Sequence, residues 1–146
     1  MILKRGWFDC DVRLRLLLVE RSPVVSRALV DALLERYEVV GCVPCAGDAI
    51  ERLAHLDDER MRIRGAPVDL AIVGYDLAGE IHGRRLLEVI GSLWPSVRCL
   101  YHTSEDLVMV RGAEAIVRRP ASPYEICRTI ESLALKPNTL RIGGFA

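Results

Sequence analysis

The chain has 146 residues, with 20 basic and 20 acidic side chains that cancel at neutral pH, and 51% of its residues are hydrophobic. That length suits one domain whose core holds without disulfide or metal staples. The apolar content excludes a disordered chain, and the balanced charge argues against direct nucleic-acid contact or a membrane surface.

Residues 1–12 read as an N-terminal extension. They hold no apolar stretch of signal-peptide type, and no run in the chain approaches the roughly 18 residues of a membrane span, so a cytoplasmic protein is expected. Arg13–Val19 is predicted as a strand, its continuous apolar run Leu16–Val19 marking burial on both faces. Ser22-Pro23 then opens a helix as N-cap and first helical residue, with Val25, Leu29 and Leu33 as its inner stripe and Val30 and Leu34 widening it. Glu38–Val43 is a second strand. Asp48–His55 is a short helix with Ile50, Leu53 and Ala54 inward. The charged stretch His55–Pro67 reads as the tail of that helix and a solvated loop.

Val68–Val73 is the third strand. Gly83–Trp94 is a helix with Leu86, Leu87, Ile90 and Leu93 on one side, stopped by Pro95. Val97–His102 and Ala113–Val117 are the fourth and fifth strands. Ser122-Pro123-Tyr124-Glu125 has the form of a capping box and starts a last helix with Ile126, Ile130 and Leu133 inward. Residues 136–146, with Pro137 and Gly143-Gly144, read as a loose or partner-dependent tail. The alternation predicts an α/β domain over residues 13–135, a doubly wound parallel sheet with its site at the carboxyl ends of the strands.

Of the five cysteines, several lie in apolar runs and read as buried reduced thiols. Cys42-Val-Pro-Cys45 is a CxxC between a strand and a helix, which leaves a redox role open, but no further ligands are spaced for zinc. The histidines His55, His82 and His102 fit no catalytic triad. His102, ending a strand, is the candidate pH-responsive group.

Four segments in order, Leu16-Leu17-Leu18-Val19-Glu20-Arg21-Ser22-Pro23, Asp69-Leu70-Ala71-Ile72-Val73-Gly74, Cys99-Leu100-Tyr101-His102-Thr103 and Ile116-Val117-Arg118-Arg119-Pro120, resemble the receiver domain of two-component response regulators. The resemblance covers about Arg13–Leu135. It implies a five-stranded sheet of order 2-1-3-4-5 and a phosphorylation site, and it places this chain's departures. Gly79 sits five residues after Gly74, as the family's turn glycine sits five after its phosphoacceptor Asp, with Ala78 for the intervening proline. That register puts Gly74, which has no side chain, at the acceptor position. The family's acidic pair, which holds a Mg²⁺ ion, becomes Glu20-Arg21, and an arginine cannot bind a metal. Thr103 matches the switch hydroxyl and Arg119 the phosphate-pairing lysine, followed by a proline expected to be cis. Only Ser104–Arg111 separate Thr103 from Gly112, so the family's fourth helix is expected to shrink to at most about one and a half turns.

The sequence therefore reads as a degenerate receiver without catalytic residues, cofactor or metal. Its expected role is a phosphorylation-independent interaction module in bacterial signalling or transcriptional control. Partners would be another regulatory protein and a second copy, through Leu107, Val108 and Val110. Arg21 or Arg119 is expected to fill the vacant site and pair with Glu20. The alternatives are a live receiver using Asp76 as acceptor and a flavodoxin-like ligand-binding protein. For the latter, Glu20-Arg21-Ser22-Pro23 makes a poor phosphate cradle.

Overall fold

The computed structural model describes residues 13–135, so the readings of residues 1–12 and 136–146 lie outside the described residues. Five parallel strands form one sheet in the order β2-β1-β3-β4-β5: β1 (Arg15–Val19), β2 (Glu38–Val43), β3 (Leu70–Gly74), β4 (Arg98–Thr103) and β5 (Ala115–Arg118). Four helices accompany them: α1 (Pro23–Leu33), α2 (Ala46–Leu56), α3 (Gly83–Leu93) and α4 (Pro123–Leu135). The predicted doubly wound α/β architecture and its strand order are thus as observed. Among the described residues no helix is long and apolar enough to cross a membrane.

The helix starts follow from local chemistry. The Ser22 hydroxyl accepts the Val25 N–H at 3.2 Å, and Pro23 occupies the first turn, where its missing donor costs nothing. At α4 the capping box is complete: Glu125 N–H donates to Ser122 Oγ at 3.1 Å, and Ser122 N–H to Glu125 Oε1 at 3.0 Å. The three central strands are buried throughout, their apolar centres flanked by the buried polar residues Arg15, Arg98, His102 and Thr103.

Alternation along these strands divides the core. Leu17, Val19, Ala71, Val73, Cys99 and Tyr101 meet α2 and α3 on one face, while Leu16, Leu18, Leu70, Ile72 and Leu100 meet α1 and α4 on the other. Some inward assignments change. Leu34 and Leu93, at the C-terminal ends of α1 and α3, are 51% and 56% exposed. Ala54 is exposed, since α2 begins earlier than predicted and buries Ala46, Ala49, Leu53 and Leu56.

The charged 55–67 stretch is more than a solvated loop. Ala66 and Pro67 are buried, and the buried Arg15 guanidinium donates to the Met61 carbonyl at 3.0 Å and the Pro67 carbonyl at 3.2 Å. The β2 edge is protected by a register shift and by Arg52, which donates to the Val40 carbonyl at 2.7 Å.

The largest departure follows β4. No helix forms between Thr103 and Ala115, not even a short one. The loop supplies its own cover: Val110 is buried in the same core as the α3 residues Leu86, Leu87 and Ile90, and Leu107 and Ala113 pack against that core. Gly112 lies so close to α3 that a Cβ there would sit 2.9 Å from the Leu87 carbonyl oxygen, and its φ of +93° is a glycine conformation. Val110 is therefore unavailable as a surface residue. Of the three proposed interface positions only Val108, 97% exposed, stands clear of the core, joined by Met109 at 81%.

Candidate functional site

The carboxyl ends of β1, β3 and β4 and the residue after β5 converge on one cleft of about 420 Å³, lined among others by Glu20, Arg21, Tyr75, Asp76, Ser104 and Arg119. Glu20 leaves β1 with its side chain only 3% exposed. Its Oε2 accepts the Ser22 N–H at 3.0 Å, which ties it to the start of α1. Its Oε1 forms a direct ion pair with Arg119 Nη2, across 99 residues of sequence. Arg119 is held in turn by its backbone N–H on the Thr103 carbonyl at 2.7 Å, and the Arg119–Pro120 peptide is cis, as expected.

This pair stands where a side chain at position 74 would stand. A Cβ built on Gly74 would lie 3.0 Å from Glu20 Oε1 and 3.2 Å from Arg119 Nη2. The expected filling of the vacant site is thus made by Arg119 and not by Arg21. Arg21 turns outward to Asp76, 3.3 Å away, and both side chains are more than half exposed. Asp76, the alternative acceptor, lies in this solvent-exposed pair.

The β3–α3 loop closes tightly over the same point. Gly83 N–H donates to the Tyr75 carbonyl at 3.1 Å, and a Cβ on Gly83 would come within 2.1 Å of the Gly74 carbonyl oxygen. Gly83 thus has to be glycine for the first turn of α3 to reach the end of β3.

Thr103 is fully buried and engaged elsewhere. Its hydroxyl accepts the Glu105 N–H at 3.0 Å and donates to Glu105 Oε1 at 3.2 Å. The Tyr101 hydroxyl donates to the same carboxylate oxygen at 3.1 Å, and burial followed by Glu105 pushes the phenol up to about 12. Glu105 was not singled out in the sequence. A hydroxyl residue two positions before an acid is the only local signal for this turn.

His102 pairs in register with Gly74 and is 3% exposed, with neither ring nitrogen hydrogen-bonded among the described residues. Burial, then the charge of Arg119, holds its pKa down to about 4, so the ring is neutral at physiological pH.

The residues present do not fit the Mg²⁺ ion that the receiver resemblance implies. Glu20 already serves Arg119 and a backbone amide, position 21 is a cation, and position 74 offers no oxygen from a side chain. Among the described residues no group of three or more His, Cys, Asp or Glu is arranged to hold a metal. Of the CxxC pair, Cys42 is an exposed free thiol on β2 and Cys45 a half-buried free thiol at the N-cap of α2, beyond the bend at Pro44. Cys99 is a buried core thiol, its pKa raised to about 12 by burial.

No protein-family model and no curated protein sequence matches the chain. Solved structures do. The chain is similar to a CheY-like response regulator receiver domain protein from Methanospirillum hungatei, with 21% identity and a TM-score of 0.66 over 83% of this chain and 93% of that one. It is similar to the isolated REC domain of RcsB from Salmonella enterica serovar Typhimurium, solved in the presence of the phosphomimetic BeF3⁻, at 17% identity and TM-score 0.70, covering 86% and 91%. It is also similar to the signal receiver domain of the putative response regulator NarL from Mycobacterium tuberculosis, at 20% identity and TM-score 0.69, covering 86% and 98%. These likenesses establish the receiver fold.

Proposed function

We propose that this chain is a phosphorylation-independent receiver-like domain that works in signal transduction or transcriptional regulation by binding other proteins. The observation that carries the reading is the Glu20–Arg119 ion pair packed over Gly74. A receiver of the family's type switches when an aspartyl phosphate and Mg²⁺ draw the Thr and Lys side chains inward. Here the counterpart of the lysine is already paired, the counterpart of the threonine is bonded to Glu105, and position 74 offers no side chain to accept a phosphoryl group. The site therefore supports one state, and regulation would come from partner availability.

Self-association is part of the proposal. The surface in question is the β4–β5 loop, with Val108 and Met109 projecting from it and Leu107 at its base. A stable homodimer needs about 800 Å² per partner, so these residues would form the centre of a larger contact.

The experiment is incubation of the purified chain with a small phosphodonor and Mg²⁺, followed by intact-mass measurement. The mass is expected to stay unchanged. A stoichiometric phosphoryl adduct, on Asp76 or any other residue, would overturn the reading.

A further inference from the structure

The amino ends of the strands form the floor of the domain, opposite the Glu20–Arg119 cleft. The chain enters there at Arg13, just before β1. Two hydrogen bonds fix the point of entry. Arg13 Nη1 donates to the Leu34 carbonyl at 3.2 Å, and the Arg13 carbonyl accepts from Arg64 Nη2 at 2.9 Å. Arg15 Nη1 holds the Met61 carbonyl at 3.0 Å. The entering chain therefore passes between the end of α1 and the α2–β3 loop.

Both walls of this passage leave aliphatic side chains in solvent. Leu34 is half exposed on one side, and Met61 and Ile63 are 39% and 38% exposed on the other. Neighbouring exposed apolar side chains of this kind mark a contact surface. The loop that carries two of them has a set shape. Arg64 adopts a φ of +57°, uncommon for a residue with a side chain, and its Nε donates to Asp69 at 2.9 Å.

The length and content of the chain ahead of Arg13 suit this surface. The protein has two tryptophans and two phenylalanines. Trp94 belongs to the core, whereas Trp7 and Phe8 lie in residues 1–12, outside the described residues. They precede Arg13 by six and five positions, so at about 3.3 Å per residue they reach up to about 20 and 17 Å from it. That exceeds the roughly 10 Å width of a helix, so both rings come within reach of both walls. Aromatic rings bury more apolar area than any other side chains, and here the uncovered aliphatic surface lies at their point of attachment.

We propose that the floor is a docking surface for the chain's own N-terminal segment, with Trp7 and Phe8 covering Leu34, Met61 and Ile63. The contact lies at the opposite ends of the strands from the Glu20–Arg119 cleft. It is independent of whether the chain accepts phosphate.

The test is nuclear Overhauser spectroscopy on the full chain, from the Trp7 and Phe8 ring protons to the methyl groups of Leu34, Met61 and Ile63. Contacts are expected in the wild type and should be lost in Leu34→Glu and in Ile63→Glu. The double variant Trp7→Ser/Phe8→Ser should shift these three methyl signals and leave those of the core residues Ile72 and Leu100 in place, which also shows that the fold is kept. Absence of the contacts in the wild type would overturn the proposal. So would contacts made to the same methyl groups by Phe145 instead, or contacts found only between differently labelled chains, which would make a second copy the occupant.

Discussion

Restoring an acceptor by Gly74→Asp perturbs the site at its centre. The new Cβ would sit 3.0 Å from Glu20 Oε1 and 3.2 Å from Arg119 Nη2, both ends of side chains that can yield by a few tenths of an ångström. The carboxylate beyond it cannot be accommodated so simply. Two carboxylates about 4 Å apart repel by about 4 kcal/mol at an effective dielectric of about 20, and sharing Arg119 between them offsets about half. The net expectation is a loss of about 2 kcal/mol at neutral pH, against less than about 1 kcal/mol for Gly74→Ala, which adds bulk without charge. Glu20→Gln alone should cost about 1–3 kcal/mol, because it leaves the partly buried Arg119 without its counter-charge. In Gly74→Asp/Glu20→Gln the new Asp takes over Arg119, so the double variant should be more stable than the sum of the two losses by at least about 1 kcal/mol. Urea unfolding of the four proteins reads this cycle. Additive losses, or a Gly74→Asp variant as stable as the wild type, would refute the assignment of the ion pair to this space.

The neutral, buried His102 gives an acid-sensitive term. Its folded pKa lies below the unfolded value, so its contribution is complete above about pH 6.5 and is lost as pH falls towards about 4, amounting to about 3 kcal/mol; the fall in melting temperature from pH 7 to pH 4.5 should be clearly smaller in His102→Leu. Gly83→Ala should cost more than about 3 kcal/mol or prevent folding, since its methyl group would overlap the Gly74 carbonyl; an unchanged urea midpoint would show that the α3 start sits farther from β3. Light scattering across a dilution series should show a dimer that Val108→Glu disrupts without loss of melting temperature, whereas Val110→Glu should lower the melting temperature itself; a wild type that stays monomeric at high micromolar concentration would remove the homodimer from the proposal.

Much of the fold could be read from short-range pattern. The run Leu16–Val19, the Ser22-Pro23 and Ser122–Glu125 starts and the Leu86/Leu87/Ile90 stripe each specify an element through local chemistry, and their order leaves few topologies. Residues set by distant neighbours were less legible. Arg21 and Arg119 were equal candidates for Glu20, because sequence does not show that α1 turns position 21 outward while the end of β5 delivers position 119. The eight residues Ser104–Arg111 were too few for a full helix, yet nothing local showed that Val110 and Gly112 would close the core against α3.

The central claim is that an internal ion pair holds the place of phosphate and metal. An amide NMR titration of the wild-type chain with Mg²⁺ and then beryllofluoride tests it most directly, since beryllofluoride reports a receiver's acceptor site without any transfer chemistry. The account predicts no saturable shift at residues 20–22, 74–76, 103–105 or 119 up to about 20 mM Mg²⁺, a concentration far above that needed to fill a dedicated carboxylate site. Saturable shifts at these residues on adding beryllofluoride with Mg²⁺ would contradict it.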